Sequence, residues 1–274
     1  MDEPTPPGDQ PPTERVTVSP PAHSDGATPP DQPATTPVKL RVLEPVLPSL
    51  KTLIAVAAPL EAEAALVGLG IKHESAREHA QRRWEVQHVG DRFDLIITDI
   101  GKANAAAAVA LAFNPKQHGA VLNLGIAGVL PGSNIELAQS VIAERSVSAD
   151  DGMATPRGFV PCARMNFPLG PFPETGVPPD PKLYDALRPI CDASAAIATV
   201  STCSGTDAHA SGIAGLTGAA IEAMEGAAIG QVAARLGIPF AEIRFTSNTT
   251  GDRDRQVWVL EKSLNKLAHT ARRL

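Results

Sequence analysis

Five polar residues in the last quarter of the chain have side chains suited to chemistry. Glu222 and Glu225 lie three residues apart at the start of a predicted helix, and Arg244, Ser247 and Asn248 lie around the end of the strand that follows it. Carboxylates accept hydrogen bonds from hydroxyl groups, whereas serine and asparagine side chains both donate and accept. If the fold brings the two groups together, they could hold a small polar molecule from two sides.

One helix and one strand must position these residues. Apolar residues recur at helical spacing and are followed by glycine and proline, which predicts a helix over residues 222–235. Apolar and polar residues alternate over 240–245, which predicts a strand with Glu242 and Arg244 on one face. Ligands of open α/β sheets bind beyond the carboxyl ends of the strands, so a site is expected there. The alternative is that Glu242 and Arg244 only pair with each other and that residues 247–248 are only a turn.

The rest of the chain predicts strands that alternate with helices. The predicted strands are residues 51–58, 93–100, 120–124, 140–148, 196–202 and 240–245, and the predicted helices follow Pro59 or cover residues 104–113, 222–235 and 255–273. This alternation favours an α/β fold, a single domain with a central mixed, mainly parallel twisted sheet flanked by helices.

Two short segments of this pattern hold further candidate residues. Glu61 and Glu63 lie in the first turn of the first helix, where carboxylates complement the positive helix end. Because they are two residues apart, they point to different sides, and at most one faces a site. Gly125 and Gly128 follow the strand at 120–124 and allow the backbone to approach a ligand closely.

Composition excludes several classes of protein. A net charge of −6 gives no basic surface for nucleic acid or for an anionic membrane. The three cysteines, an odd number without CxxC spacing, predict neither a disulfide framework nor a zinc site, so we expect a cytoplasmic location. The sequence lacks GxGxxG and GxxxxGK[ST] motifs, and we expect neither a cofactor nor a metal.

Residues 1–48 differ from the rest of the chain. They contain half of its 26 prolines, mixed with Thr, Asp, Ser and Gly, which predicts a disordered tail before a folded domain over 49–274. The tail has no apolar run long enough for a signal peptide or a membrane span.

Two aromatic residues lie in a stretch rich in Pro and Gly, and a third lies in the last predicted helix. The stretch 149–181 is rich in Pro and Gly, and Phe159 or Phe167 within it could stack on a flat ligand or only pin the loop to the core. Trp258 lies in the helix predicted at 255–273, where packing in the core or in an interface is expected.

Six segments together resemble the nucleoside phosphorylase and nucleosidase superfamily. They are LIAVAAPLEAEAAL, TDIGKANAAAAVA, VLNLGIAGVL, SADDG followed by RGF, EAMEGAAIGQVA and EIRFTSNTTGDRD. The resemblance covers residues 51–274 and not the tail. Within the superfamily, SNTTGDRD and the DxG…GF loop are similar to the futalosine hydrolase branch of the alternative menaquinone pathway.

The resemblance implies roles around the sugar. Met224 would pack on the ribose, and Glu225 would accept hydrogen bonds from its hydroxyls. Arg244 and Glu63 would hold and polarise the attacking water, with assistance from Thr98. Asp99, where relatives usually have glycine, could crowd this side of the site.

The resemblance also implies that Ser247 and Asn248 face the base. An asparagine amide donates to N7 or O6 and does not supply a proton at neutral pH, which favours a 6-oxopurine over adenine. The first helix offers the carboxylates of Glu61 and Glu63 rather than cations, which favours water over phosphate as the nucleophile, although Arg244 could serve either.

The expected function is therefore hydrolysis of the N-glycosidic bond of futalosine, giving hypoxanthine and dehypoxanthine futalosine. The alternatives are a purine nucleoside phosphorylase, an MTA/SAH-type nucleosidase, or a nucleoside-binding protein without catalysis. The resemblance further implies a homo-oligomer.

Overall fold

The computed structural model describes residues 50–172 and 175–274, so the tail predicted at residues 1–48 lies outside the described residues. The helices are α1 (Pro59–Gly68), α2 (His73–His79), α3 (Lys102–Ala112), α4 (Pro181–Leu187), α5 (Asp207–Thr217), α6 (Gly226–Leu236) and α7 (Leu260–Ala271). The strands are β1 (Lys51–Val56), β2 (Gln87–Val89), β3 (Phe93–Ile97), β4 (His118–Val129), β5 (Ser140–Ser148), β6 (Gly152–Thr155), β7 (Gly158–Pro161), β8 (Gly176–Val177), β9 (Ala193–Thr199), β10 (Ile221–Ala223) and β11 (Phe240–Thr249).

Nine of these strands form one mixed sheet in the order β10-β9-β5-β11-β4-β1-β3-β2, with β8 against β5. Five pairings are parallel, namely β1–β3, β1–β4, β4–β11, β5–β9 and β9–β10. Four pairings are antiparallel, namely β2–β3, β5–β11, β5–β8 and β4–β10. Because β10 pairs with both β9 and β4, one end of the sheet closes on itself. The closed part consists of β4, β11, β5, β9 and β10, each paired with the next and β10 with β4. The prediction of a mixed, mainly parallel sheet is confirmed.

The central strands are buried on both faces, as parallel strands covered by helices must be. In β1, Ile54 and Val56 pack towards α1, α2 and α7, whereas Leu53 and Ala55 pack towards α3 and α6. Each fully buried aliphatic side chain of Leu or Ile size contributes about 1.5–3 kcal/mol to folding. Alanines dominate the buried faces of α1, α3 and α6, so these helices lie close to the sheet.

Among the element boundaries that differ from the sequence prediction, three affect the site. Residues 221–223 form β10 rather than the start of a helix, because their backbone pairs with β9 and β4. The strand predicted at 240–245 continues as β11 to Thr249 along the length of β4. The last helix begins at Leu260, so Trp258 precedes it instead of lying within it.

Among the described residues, none of the helices is both long enough and apolar enough to cross a membrane.

Candidate active site

A cavity of about 510 Å³ lies at the carboxyl ends of the parallel strands β1, β4 and β11, next to the junction of β10 and α6. This is the edge at which ligands of α/β sheets bind. The volume is in the range of pockets that hold small organic molecules. Two carboxylates of the lining, those of Glu61 and Glu225, lie near Arg244 and form what we call the carboxylate side. The amide of Asn248 forms the amide side, and the third carboxylate, Glu222, lies near it.

Glu61 presents its carboxylate to the cavity from the first turn of α1. Its Oε2 accepts hydrogen bonds from the backbone N–H groups of Ala57 (3.1 Å) and Ala58 (2.9 Å), and its Oε1 accepts from Ile126 N–H (2.8 Å). The third residue of a helix folds back in this way to satisfy the free N–H groups at the helix start. Burial raises the pKa of the Glu61 carboxyl, and the nearby charge of Glu225 raises it further.

Arg244 lies behind the cavity wall and is 1% exposed. Its Nε donates to Glu242 Oε1 (2.7 Å), its Nη1 lies 3.1 Å from Glu225 Oε2, and its Nη2 donates to Asn123. Burial alone would lower the pKa of Arg244, but the carboxylates of Glu242, Glu225 and Glu61 outweigh it and raise the pKa. The guanidinium therefore stays charged and pairs with Glu225, which lines the cavity, and with Glu242, which is buried outside the lining.

Gly125 provides room for this ion pair. A Cβ at Gly125 would collide with Arg244 Nη1 and would lie 2.9 Å from Glu61 Oε1. Gly125 itself does not line the cavity, since Arg244 and Glu61 fill the space beside it.

Glu225 lies immediately before α6, is 3% exposed and lines the cavity together with Met224. Its Oε1 accepts from the backbone N–H of Gly101 (3.1 Å), and its Oε2 faces Arg244. Gly101 has a φ of 99°, a conformation that favours glycine, and this turn aims its N–H at the carboxylate. Glu225 is thus fixed through both oxygens.

The opposite side of the cavity is formed by the end of β11. Ser247 Oγ donates to Asn248 Oδ1 (2.9 Å), and Asn248 Nδ2 donates to the Thr249 carbonyl (2.9 Å). These contacts fix the amide orientation and leave one N–H of Nδ2 for another partner. Gly128, which also lines the cavity, packs against Asn248, as a Cβ there would lie 3.2 Å from Nδ2.

Trp258 is a cavity residue rather than a core residue. It pairs with Asn248 through an isolated β-bridge, lines the cavity and is 45% exposed. The guanidinium carbon of Arg253 lies 4.8 Å from the centroid of its ring. The sequence pattern predicts Trp258 inside the last helix and therefore does not indicate that it lines a cavity.

Glu63 does not reach the cavity. Its Oε1 lies 3.1 Å from His73 Nδ1 and 3.6 Å from Arg77 Nε, between α1 and α2. Residues two positions apart in a helix are separated by more than half a turn around its axis, so the side chains of Glu61 and Glu63 have different surroundings. The carboxylate beside Arg244 is Glu61, and this corrects the prediction for Glu63.

Thr98 also lies outside the cavity lining. It is 1% exposed, and its hydroxyl is within hydrogen-bond distance of the Asp99 carbonyl (2.8 Å) and the Val56 carbonyl (3.3 Å). Asp99 itself turns towards Arg83 (3.0 Å) and Trp84 (3.1 Å) with a φ of 63°. Neither side chain therefore contributes to the carboxylate side of the site.

Phe159 lies in the two-stranded β6–β7 hairpin, where its ring packs on Gly152 and does not line the cavity. Phe167 is 67% exposed and lies outside the lining as well. The structure thus brings together Met224, Glu225, Ser247, Asn248 and Gly128 in one cavity, with Arg244 behind it.

Sequence reasoning missed Arg253 and Trp258 as cavity residues, and it placed Glu222 at a helix start, whereas Glu222 lies in β10. Glu222 is 5% exposed and accepts from Ser204 N–H (2.8 Å) and Ser204 Oγ (2.6 Å). The direction of the Glu222 side chain depends on the pairing of β10, which the local sequence does not predict.

A family model described as Phosphorylase superfamily matches residues 51–274 of this sequence. The chain therefore belongs to the phosphorylase superfamily.

Curated relatives within the superfamily are futalosine hydrolases. The futalosine hydrolase of Acidothermus cellulolyticus is 34% identical over 228 residues, covering 81% of this chain and 88% of the relative. That of Thermus thermophilus is 35% identical over 192 residues, covering 68% of this chain and 82% of the relative. The resemblance to the futalosine hydrolase branch is confirmed.

Solved structures share the fold. A mutant futalosine hydrolase from Helicobacter pylori aligns with a TM-score of 0.60 at 18% identity, covering 82% of this chain and 96% of that chain. A 5'-methylthioadenosine/S-adenosyl homocysteine nucleosidase from the same organism aligns with a TM-score of 0.62 at 18% identity, covering 82% and 95%. The predicted fold class is confirmed.

Proposed function

We propose that this protein hydrolyses the N-glycosidic bond of futalosine and releases hypoxanthine and dehypoxanthine futalosine for menaquinone biosynthesis. The observation that carries the proposal is that Glu61, Glu225 and Asn248 face one cavity of about 510 Å³. A cavity of this size can hold a nucleoside, with its sugar at the carboxylates and its base at the amide. The curated relatives, all named futalosine hydrolase, support this choice of substrate.

The carboxylate side of the cavity suits the sugar. Cleavage of an N-glycosidic bond builds positive charge on the sugar ring and negative charge on the departing base. Glu225 accepts hydrogen bonds from the ribose hydroxyls, and Glu61 and Glu225 face the developing cation. Fixed charges of this kind stabilise a transition state because they need no reorganisation during the reaction.

Glu61 takes the role of general base that the sequence had suggested for Glu63. Its raised pKa brings the carboxyl closer to neutral pH, where a base accepts a proton from water most effectively. Arg244 does not line the cavity, so we assign it a positioning role, because its guanidinium holds Glu225 and adjoins Glu61.

The amide side of the cavity suits the base. The free N–H of Asn248 Nδ2 donates to N7 or O6 of hypoxanthine and stabilises negative charge on the leaving base. Ser247 supports this role by holding Asn248 Oδ1.

The charges of the cavity favour hydrolysis over phosphorolysis. Glu61, Glu222 and Glu225 line it, and Arg253 is the one basic residue of its lining among the described residues. A phosphate dianion would be repelled by these carboxylates, whereas water benefits from a carboxylate base. The positive charge of Arg244 adds little attraction for phosphate, because three carboxylates already surround the guanidinium.

Turnover with and without phosphate tests the proposal. We expect the full chain to release hypoxanthine from futalosine in phosphate-free buffer, at a rate that added phosphate does not raise. Dependence on phosphate would support a phosphorylase, and faster release of adenine from methylthioadenosine would support an MTA/SAH-type nucleosidase. Thermal stabilisation by futalosine without turnover would support a binding protein.

The proposal includes a cytoplasmic homo-oligomer. Leu60, Ile100 and Leu111 are 54%, 58% and 74% exposed, and Ile100 also lines the cavity. Because Ile100 lies at the cavity, a subunit contact that covers it would adjoin the site. The exposed thiol of Cys203, which lines the cavity, supports a reducing compartment.

A further inference from the structure

Glu222 is a buried carboxylate in the cavity wall that has no part in the chemistry described above. It lies in β10 and is 5% exposed. Ser204 N–H donates to its Oε1 (2.8 Å) and Ser204 Oγ donates to its Oε2 (2.6 Å). Each oxygen of a carboxylate can accept more than one hydrogen bond, so Glu222 still has capacity to accept from a ligand.

Strand register places Glu222 and Asn248 on either side of one glycine. Gly128 of β4 pairs with Glu222 of β10 on one side and with Asn248 of β11 on the other. A Cβ at Gly128 would lie 3.7 Å from Glu222 Cγ and 3.2 Å from Asn248 Nδ2. The two side chains therefore lie near the same face of β4, where the Thr250 methyl group also packs, 2.7 Å from the position of a Gly128 Cβ.

We propose that Glu222 selects a 6-oxopurine by accepting a hydrogen bond from N1–H of the base while Asn248 donates to O6 or N7. This inference rests on the proposed function and deepens it. In hypoxanthine N1 carries a hydrogen and O6 is an acceptor, whereas in adenine N1 is a lone pair and the exocyclic group at C6 is a donor. A carboxylate only accepts, so opposite adenine N1 it meets another acceptor and loses its partner.

Asn248 alone does not provide this selection. The free N–H of its fixed amide can donate to N7, which is an acceptor in both hypoxanthine and adenine, so this contact does not distinguish the two bases. The Glu222 carboxylate, in contrast, accepts from N1–H, which only hypoxanthine has. Sites that hydrogen-bond a particular substrate group reject analogues that lack it by far larger factors than apolar pockets do.

Binding of free bases tests the inference without turnover. Calorimetry would compare hypoxanthine, 1-methylhypoxanthine and adenine on the wild-type chain. We expect hypoxanthine to bind at least about tenfold more tightly than either of the others, because both lack the N1–H donor. This comparison needs no variant, so it does not depend on the folding of a mutant.

Glu222→Gln gives the second arm, because glutamine can present either its oxygen to N1–H or its amide to the adenine N1 lone pair. We expect the preference for hypoxanthine over adenine to fall by about tenfold or more. Glu144→Gln is the matched control, since Glu144 is a strand carboxylate that accepts from a serine (Ser194 Oγ, 2.8 Å) but is exposed and outside the cavity lining.

Equal binding of hypoxanthine and 1-methylhypoxanthine, no binding of any base, or an unchanged preference in Glu222→Gln would each overturn the inference. Futalosine turnover by the wild-type chain decides the proposed function separately. If the wild-type chain hydrolyses futalosine but Glu222→Gln keeps the wild-type preference for hypoxanthine, the proposed function stands and the role of Glu222 is rejected.

Discussion

At the residue scale, the pair Glu61 and Glu63 offers a direct test of the site. Glu61→Gln removes the base and should lower kcat/KM for futalosine by about 10²–10⁴-fold. Glu63→Gln breaks only contacts to the exposed His73 and Arg77 and should change kcat/KM by less than about threefold. Initial rates of hypoxanthine release measure both. Equal losses in the two variants would contradict the assignment of Glu61.

The assignment of Glu61 as general base also predicts how kcat/KM depends on pH. Burial and the charge of Glu225 raise the pKa of Glu61 above its ordinary value of 4.5. A general base works only when deprotonated, so kcat/KM should fall as the pH falls through this raised pKa. We expect the acid limb of the wild-type profile to have its midpoint above 4.5 and to be absent from the residual activity of Glu61→Gln.

The sequence located the region of these residues but not their directions. Helical geometry predicts that the side chains of Glu61 and Glu63 point in different directions. Deciding which of them faces the site requires knowing which side of α1 is buried. Glu61, Ala65 and Gly68 are buried in the structure. In a helix made mostly of Ala and Leu, nearly every position is apolar, so the pattern that normally marks the buried side is faint.

At the element scale, Gly226 connects α6 to the buried ion pairs. A Cβ at Gly226 would collide with the carboxylate of Glu242, which bonds to Ser146 and to Arg244 Nε. Gly226→Ala should therefore displace Glu242, lower the free energy of unfolding by about 1–3 kcal/mol and reduce kcat/KM. Thermal unfolding and futalosine turnover measure the two effects.

Gly215→Ala provides the control for this change. Gly215 lies inside α5 with nothing near the position of an added Cβ, so alanine should raise stability by about 0.5–1 kcal/mol through its helix propensity. Turnover should stay unchanged. Equal behaviour of the two variants would show that the contact between Gly226 and Glu242 has no consequence.

The strand β10, which the sequence does not predict, owes its form to pairing with the distant strands β4 and β9. Residues 221–223 carry apolar residues that also fit the start of a helix, and a three-residue strand has too few positions to display alternation. Longer runs such as 140–148 were predicted with the bounds observed for β5, because nine residues are enough for the pattern.

At the scale of the whole molecule, a second buried polar cluster lies at the edge of the sheet opposite the cavity. Asp94 Oδ1 lies 2.9 Å from both Lys51 Nζ and His88 Nδ1, and Oδ2 lies 2.9 Å from His118 Nε2. Asn114 N–H donates to His118 Nδ1, so Nε2 carries the hydrogen that bonds to Asp94. The cluster joins the starts of β1 and β4 to β3.

Asp94→Asn should destabilise the fold without affecting the site. We expect a loss of about 1–3 kcal/mol in the free energy of unfolding at neutral pH and unchanged kcat/KM, because the cluster is remote from the cavity. Urea denaturation and turnover measure these quantities. A loss of turnover in the folded variant would contradict the separation of the two regions.

The destabilisation should depend on pH. Burial would raise the pKa of Asp94, but hydrogen bonds from Lys51, His88 and His118 outweigh it and hold the pKa below 3.8. The stabilising contribution of the carboxylate is therefore complete above 3.8 and is lost as the pH falls through the lowered pKa. The difference between wild type and Asp94→Asn should shrink in that acidic range.

The alternation of strands and helices was enough to predict the fold class, since it depends on local patterns repeated along residues 51–274. It did not predict that β10 would close back onto β4. That closure depends on the pairing of Ile221 and Glu222 with residues more than ninety positions earlier, which no local pattern records.

The placement of Gly128 between two strands has a consequence for how such enzymes diversify. The residues we assign to the base belong to β10 and β11, whereas the general base belongs to α1. A change of Glu222 alone could therefore alter which base is preferred, while Glu61, Glu225 and Asn248, which act on the bond that breaks, are inherited intact.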